Sequence, residues 1–135
     1  MNKILVDTSV WINFLNGVKN KFSEKLKELI EKDAPVVLTP IVIQEILQGI
    51  RDDARFNEVK SALSGFEVLM IDPVEAAYEA AALFRMLRKK GITIRKSNDC
   101  LIAYYAIHHH TILLHNDSDF DKIARHSSLK IMTVR

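Results

Sequence analysis

Five short apolar runs set the tightest limit on how this chain folds. They are Ile4-Leu5-Val6, Val36-Val37-Leu38, residues 67–71, Ile112-Leu113-Leu114 and residues 130–134. Turn-forming or charged residues bound them, including Asp7, Pro35, Pro40 and Asp72-Pro73. Most show no apolar/polar alternation, so they predict strands buried on both faces. Helical patterns fill the gaps at 8–16, 21–32, 40–50, 53–64, 74–90, 98–109 and 119–126. Asp7 and Ser97 read as N-caps of the helices that follow them. Pro40 occupies a favoured first helical position. Phe22, Leu26, Leu29 and Ile30 fall at helical spacing, and the Ala-rich 74–90 stretch stops at Gly91. Strands alternating with helices predict an α/β chain: a central parallel sheet of about five strands, with helices on both faces. No repeat or linker interrupts the pattern, so residues 1–135 read as a single domain. In such folds sites form beyond the carboxyl ends of the strands.

Composition narrows the function classes. Hydrophobic residues make up 48% and charged residues 27% of the 135, which excludes a disordered chain. A formal net charge of +2 permits a polyanionic partner without demanding one. Cys100 is the one cysteine, so no intrachain disulfide forms. No apolar run approaches the ~20 residues of a membrane span, and no signal peptide is read at the start. The expectation is a cytoplasmic protein with no membrane partner.

The acids are placed conspicuously. Asp7 ends the first strand, Asp117 and Asp119 follow the fourth, Asp99 opens an apolar helix, and Glu45 interrupts another. Each has an ordinary reading as well. Asp7 reads as a helix cap, Asp99 as a first-turn acid favoured by the helix dipole, and Glu45 as a solvated rim residue. Asp117, Asp119 and Asp121 read as a polar turn and cap. Convergence is the alternative, and it carries a cost. At ~5 Å and an effective dielectric of ~20, each like-charge pair costs about 3 kcal/mol. Gathered carboxylates therefore need protons or a cation, and hard oxygen donors favour Mg²⁺ or Mn²⁺ over zinc. Such an ion activates water for attack on a phosphodiester.

Four segments carry a resemblance. Val6-Asp7-Thr8-Ser9-Val10-Trp11-Ile12 resembles the opening motif of PIN-domain ribonucleases, more narrowly of VapC-type toxins from toxin–antitoxin pairs. The stretch Pro40 to Gly49, which contains Glu45, resembles the second motif. Ser97-Asn98-Asp99-Cys100-Leu101-Ile102-Ala103 resembles the third, and Leu113 to Phe120 the fourth. All four fall in the family's order. The resemblance implies a three-layer α/β/α PIN fold and an Mg²⁺- or Mn²⁺-dependent endoribonuclease. Asp7, Glu45, Asp99 and Asp117 would form its catalytic pocket. Asp7, Asp99, Asp117 and Asp119 would hold metal, with Asp117 favoured over Asp119 as the closer ligand. Thr8, Asn116 and Ser118 would support them. The implied partners are an RNA substrate, a VapB-like antitoxin and a second copy of the chain in a homodimer. One position departs from the pattern: His115 stands where many members carry Thr or Ser.

Remaining features have competing readings. Arg95 and Lys96, just before Asp99, suit contact with RNA phosphates; Lys89 and Lys90 suit either that role or a helix C-terminus. Arg51 and Arg55 are weaker candidates of the same kind. His108-His109-His110 point in three directions on a helix, so they read as a helix end. Trp11 and Phe14 read as core rather than base-stacking platforms. The small residues of 76–82 suit close helix packing or a dimer face. Cys100 is a poor nucleophile beside a carboxylate. No Gly-rich phosphate loop or Gly-x-Ser-x-Gly elbow is present. Two other functions compete on the same fold: a non-catalytic RNA-binding PIN module, and a PIN nuclease of RNA processing that is not a toxin.

Overall fold

The computed structural model describes residues 2–135. Five strands run β1 (Ile4–Val6), β2 (Val36–Leu38), β3 (Glu67–Val68), β4 (Ile112–Leu114) and β5 (Lys130–Ile131). Seven helices join them: α1 (Thr8–Leu15), α2 (Lys21–Glu31), α3 (Pro40–Gln48), α4 (Asp53–Leu63), α5 (Pro73–Lys89), α6 (Ser97–His108) and α7 (Ser118–Arg125). The sheet order is β3-β2-β1-β4-β5, with every pair parallel. This is the three-layer α/β/α arrangement expected of the chain. Every residue of β1 and β2 is buried, as strands covered on both faces must be. Leu5, Leu38, Leu113 and Leu114 line the sheet, and Trp11, Leu26, Leu87, Ile102 and Phe120 pack against it as one core. Trp11 is 1% exposed and meets Phe66 and Phe14 edge-on, which places it in the core as expected. Among the described residues no helix is long and apolar enough to cross a membrane.

The helix ends explain themselves locally. Asn20 caps α2 with a reciprocal Ser23 bond, a capping box. Thr39 caps α3 ahead of Pro40. Asp72 caps α5 by accepting from Val74 and Glu75. Gly91 follows α5 at φ +78°, and the Ile92 N–H bonds back to the Leu87 carbonyl at 2.9 Å. That left-handed turn is one glycine adopts freely.

Several boundaries depart from the sequence expectation. Ser97 is the first residue of α6, not its cap; Lys96 stands at the cap position and offers no capping side-chain bond. Asp7 holds the cap position of α1, but its carboxylate makes no capping bond. The outer strands are shorter than their apolar runs. β3 and β5 lie at the sheet edges with one neighbour each. Beyond them the ladder continues by one bond each, Leu69 N–H to the Leu38 carbonyl and Met132 N–H to the Leu113 carbonyl.

Candidate metal centre

The topology makes one cleft in advance of any side chain. From β1 the chain builds outward through β2 to β3, then returns to β4 on the other side of β1. Val6 lies opposite Leu114, and the Asp7 N–H donates to the Leu114 carbonyl at 2.9 Å. The two chains diverge beyond that point, which opens a crevice at the carboxyl ends of β1 and β4. Asp7 enters it from β1, His115 and Asp117 from β4, Glu45 from α3, and Asp99 from the first turn of α6.

One half of the site is held by hydroxyls. Asp7 is 5% exposed and accepts from Ser9 Oγ at 2.9 Å. Thr8 Oγ1 donates to Glu45 Oε1 at 2.6 Å, and Asn98 Nδ2 reaches Glu45 Oε2 at 3.4 Å. Burial pushes the Asp7 carboxyl above its ordinary range, and the charge of Glu45 adds to this; the Ser9 hydroxyl works against it.

The other half is denser. Carboxylate oxygens of Asp99, Asp117 and Asp119 all lie within 4.8 Å of one another. Asp99 is 6% exposed, and its Oδ2 is buried with no hydrogen-bond partner among the described residues. Burial, then the charges of Asp7 and Asp117, push its carboxyl up to about 7. Asp119 is 1% exposed yet is held below the ordinary range. Burial opposes that state, but donors outweigh it: the Arg95 backbone N–H and Nε both reach Oδ2 at 3.2 Å, and Lys122 Nζ reaches Oδ1 at 3.3 Å. Asp117 Oδ1 caps α7 by accepting from the Asp119 N–H at 2.9 Å and also takes Arg95 Nη2 at 3.1 Å. The capping reading of Asp117 and its place in the acid group therefore hold together.

These donors fit a divalent cation. An unpartnered buried oxygen on Asp99 costs free energy that a ligated ion removes. Among the described residues the convergent set is made of carboxylates alone, which suits Mg²⁺ or Mn²⁺. Asp119 is already neutralised by two cationic side chains, whereas Asp99 has none bonded to it among the described residues.

His115 takes a definite part. The Asp117 N–H donates to its Nδ1 at 3.0 Å, so Nδ1 is the acceptor and Nε2 carries the proton of the neutral ring. Nε2 lies 3.3 Å from Asp121 Oδ1. The imidazole thus fixes the turn that presents Asp117. Asn116 and Ser118 are exposed and line a cavity of about 310 Å³ with Phe22, His115 and Asp121. Neither makes a side-chain hydrogen bond among the described residues. Arg95 is turned onto Asp117 and Asp119, with its side chain 69% exposed; Lys96 is exposed at the start of α6.

The sequence reading passed over Ser9, Asn98 and Lys122. Ser9 follows Asp7 by two residues, Asn98 precedes Asp99, and Lys122 follows Asp119 by three residues on α7. Helical spacing was the available signal for Lys122. Elsewhere, Arg55 Nη2 donates to the Leu15 carbonyl at 2.7 Å and ties α4 to the end of α1. The three histidines lie at the end of α6, where the His108 and His109 rings meet edge-on at 4.9 Å and His109 Nε2 lies 3.0 Å from the Met70 carbonyl. Cys100 is buried, and burial with the nearby Asp99 charge pushes its thiol up to about 11, consistent with an inert side chain.

Comparison with known proteins places the chain in a family. The PIN domain family model matches residues 4–126. The chain is 32% identical to VapC ribonuclease Mb1587 of Mycobacterium bovis over 133 residues, covering 98% of this chain and 99% of that one. It is 30% identical to ribonuclease VapC51 of Mycobacterium tuberculosis over 122 residues, 90% of this chain and 85% of the other. Its fold is similar to a chain in the Rickettsia felis VapBC2 complex bound to a promoter DNA fragment, with TM-score 0.76, 20% identity and 98% and 99% of the two chains covered. It is also similar to a chain of VapBC-1 from nontypeable Haemophilus influenzae, with TM-score 0.72, 19% identity and 96% of each chain covered.

Proposed function

This chain belongs to the PIN-domain family, and from that premise we propose that it is a divalent-metal-dependent endoribonuclease of the VapC toxin type. It acts as one PIN domain over residues 1–135. Its substrate is RNA, its cofactor Mg²⁺ or Mn²⁺, its inhibitor a VapB-like antitoxin, its compartment the cytoplasm, and its assembly a homodimer. The observation that carries this reading is the convergence of Asp99, Asp117 and Asp119 at the sheet's switch point, with Asp7 near enough for its charge to act on Asp99 and with Asp99 Oδ2 unpartnered among the described residues. The named relatives are ribonucleases, and the similar folds come from toxin–antitoxin complexes.

Asp7, Asp99 and Asp117 would hold the metal, with Asp119 as a neutralised outer partner. Bound there, a divalent cation supplies Lewis-acid activation of water and of a phosphoryl oxygen. Glu45, oriented by Thr8 and Asn98, is the acid placed to orient the attacking water or take its proton. Ser9 keeps Asp7 aimed into the crevice. Arg95 and Lys96 stand at the rim, where phosphates of the RNA pass. Asn116 and Ser118 border the same rim on the side of α7.

The test is RNA cleavage with and without Mg²⁺ or Mn²⁺, comparing wild type with Asp99→Asn. Metal-dependent cleavage by wild type, with at least a hundredfold loss in the variant, is the expected result (~3 kcal/mol of transition-state stabilisation). Equal cleavage by both proteins would sink the assignment. RNA binding without cleavage by wild type, across several RNA classes and free of antitoxin, would favour the non-catalytic module.

A further inference from the structure

The metal-site reading above underlies this inference and gives Arg95 a second role. We propose that Arg95 is an internal rival of the divalent cation, holding the Asp117 carboxylate oxygen that would otherwise be open to it. Its Nη2 lies 3.1 Å from Asp117 Oδ1, and its Nε lies 3.2 Å from Asp119 Oδ2. Both carboxylates belong to the group whose oxygens gather within 4.8 Å together with Asp99. A guanidinium on Asp117 Oδ1 and a divalent ion at the same oxygen repel, so the ion binds there less favourably while Arg95 holds it. An ion that takes Oδ1 displaces the guanidinium from Asp117.

The structure separates what moves from what stays. The Arg95 side chain is 69% exposed, so it can leave without unpacking the core. Its backbone N–H remains on Asp119 Oδ2, and Lys122 remains on Oδ1. Asp119 is thus anchored by the main chain, while Asp117 has Arg95 as its cationic side-chain partner. Displaced from Asp117, the guanidinium stands at the rim of the crevice, available to the phosphate it was assigned from the sequence. Lys96 is the matched comparison: it neighbours the same pocket and its charge acts on Asp99, yet it makes no hydrogen bond to these acids among the described residues.

Mn²⁺ binding by calorimetry tests this on wild type, Arg95→Met, Arg95→Gln, Lys96→Met and Asp99→Asn at one pH and ionic strength. The expected result is about tenfold tighter binding in both Arg95 variants, an effect of the size of one partly exposed ion pair. Lys96→Met should tighten binding by about twofold or less, and Asp99→Asn should abolish it. Unchanged or weaker affinity in the Arg95 variants, with wild type binding normally, overturns the rivalry and leaves the metal site standing. Equal tightening by Lys96→Met overturns it too, because general charge then explains the effect. No Mn²⁺ binding in wild type or the Arg95 variants overturns the metal-site reading and the rivalry with it.

Discussion

Asp99 concentrates the energetics of the site in one side chain. It is buried beside three other acids, and its carboxyl titrates near 7 rather than in the ordinary carboxylate range. A carboxyl whose folded-state value is raised holds its proton in the folded protein after the unfolded chain has lost it. Its relative stabilisation is complete below the unfolded value of 3.8 and is lost as pH rises through about 7. Asp99→Asn should therefore stabilise the protein at pH 8, by about 2–4 kcal/mol, and have little effect below pH 4. Thermal melts of both proteins across that range check the sign; a destabilised variant at pH 8 would contradict it. Thr8 offers a gentler probe. Thr8→Val keeps the side-chain shape but removes the 2.6 Å bond to Glu45. Cleavage should fall by about tenfold, with folding stability changed by no more than about 1 kcal/mol. A steady-state rate and a melt measured on the same sample separate the two effects.

The helices and strands reveal where local chemistry acts alone. Gly91 follows α5 in a left-handed conformation, and a Cβ built there meets nothing within 4 Å. Gly91→Ala should thus cost only backbone strain, about 1 kcal/mol, readable in a denaturant melt. Prolines, caps and apolar spacing made the helices legible, and most boundaries fall within a residue or two of the reading. α6 is the instructive exception. Ser97 is chemically a good cap, yet the turn begins one residue earlier, with the Asp99 N–H bonded to the Lys96 carbonyl. The edge strands differ for another reason. Their apolar runs extend farther than their pairing, because an edge strand has one neighbour to bond.

For the whole molecule, metal binding and protonation should be linked. With Asp99 as a ligand, as proposed, the cation would displace the proton that this carboxyl holds below about pH 7. Saturating Mn²⁺ should therefore raise the melting temperature more at pH 8 than at pH 5.5. At a free ion concentration of 100 Kd the stabilisation is about 2.7 kcal/mol. Equal shifts at the two pH values would count against Asp99 as a ligand.

The order of strands and helices along the chain and the acidic segments were legible from short apolar runs and motifs. Which oxygen meets which donor was not. Sequence determined the α/β class, the parallel sheet and the four acidic segments, because periodicity, caps and turn residues act over a few neighbours. Tertiary structure decided that Ser9 holds Asp7, that Asn98 shares Glu45 with Thr8, and that Arg95 bridges Asp117 and Asp119. It also placed His115 under the Asp117 backbone, where an imidazole nitrogen accepts the bond that orients the turn. These choices depend on partners as many as 53 residues apart, brought together where β1 and β4 diverge. Hydrogen bonds of that kind are set by distance and direction in space, and neither is written in the spacing of residues along the chain.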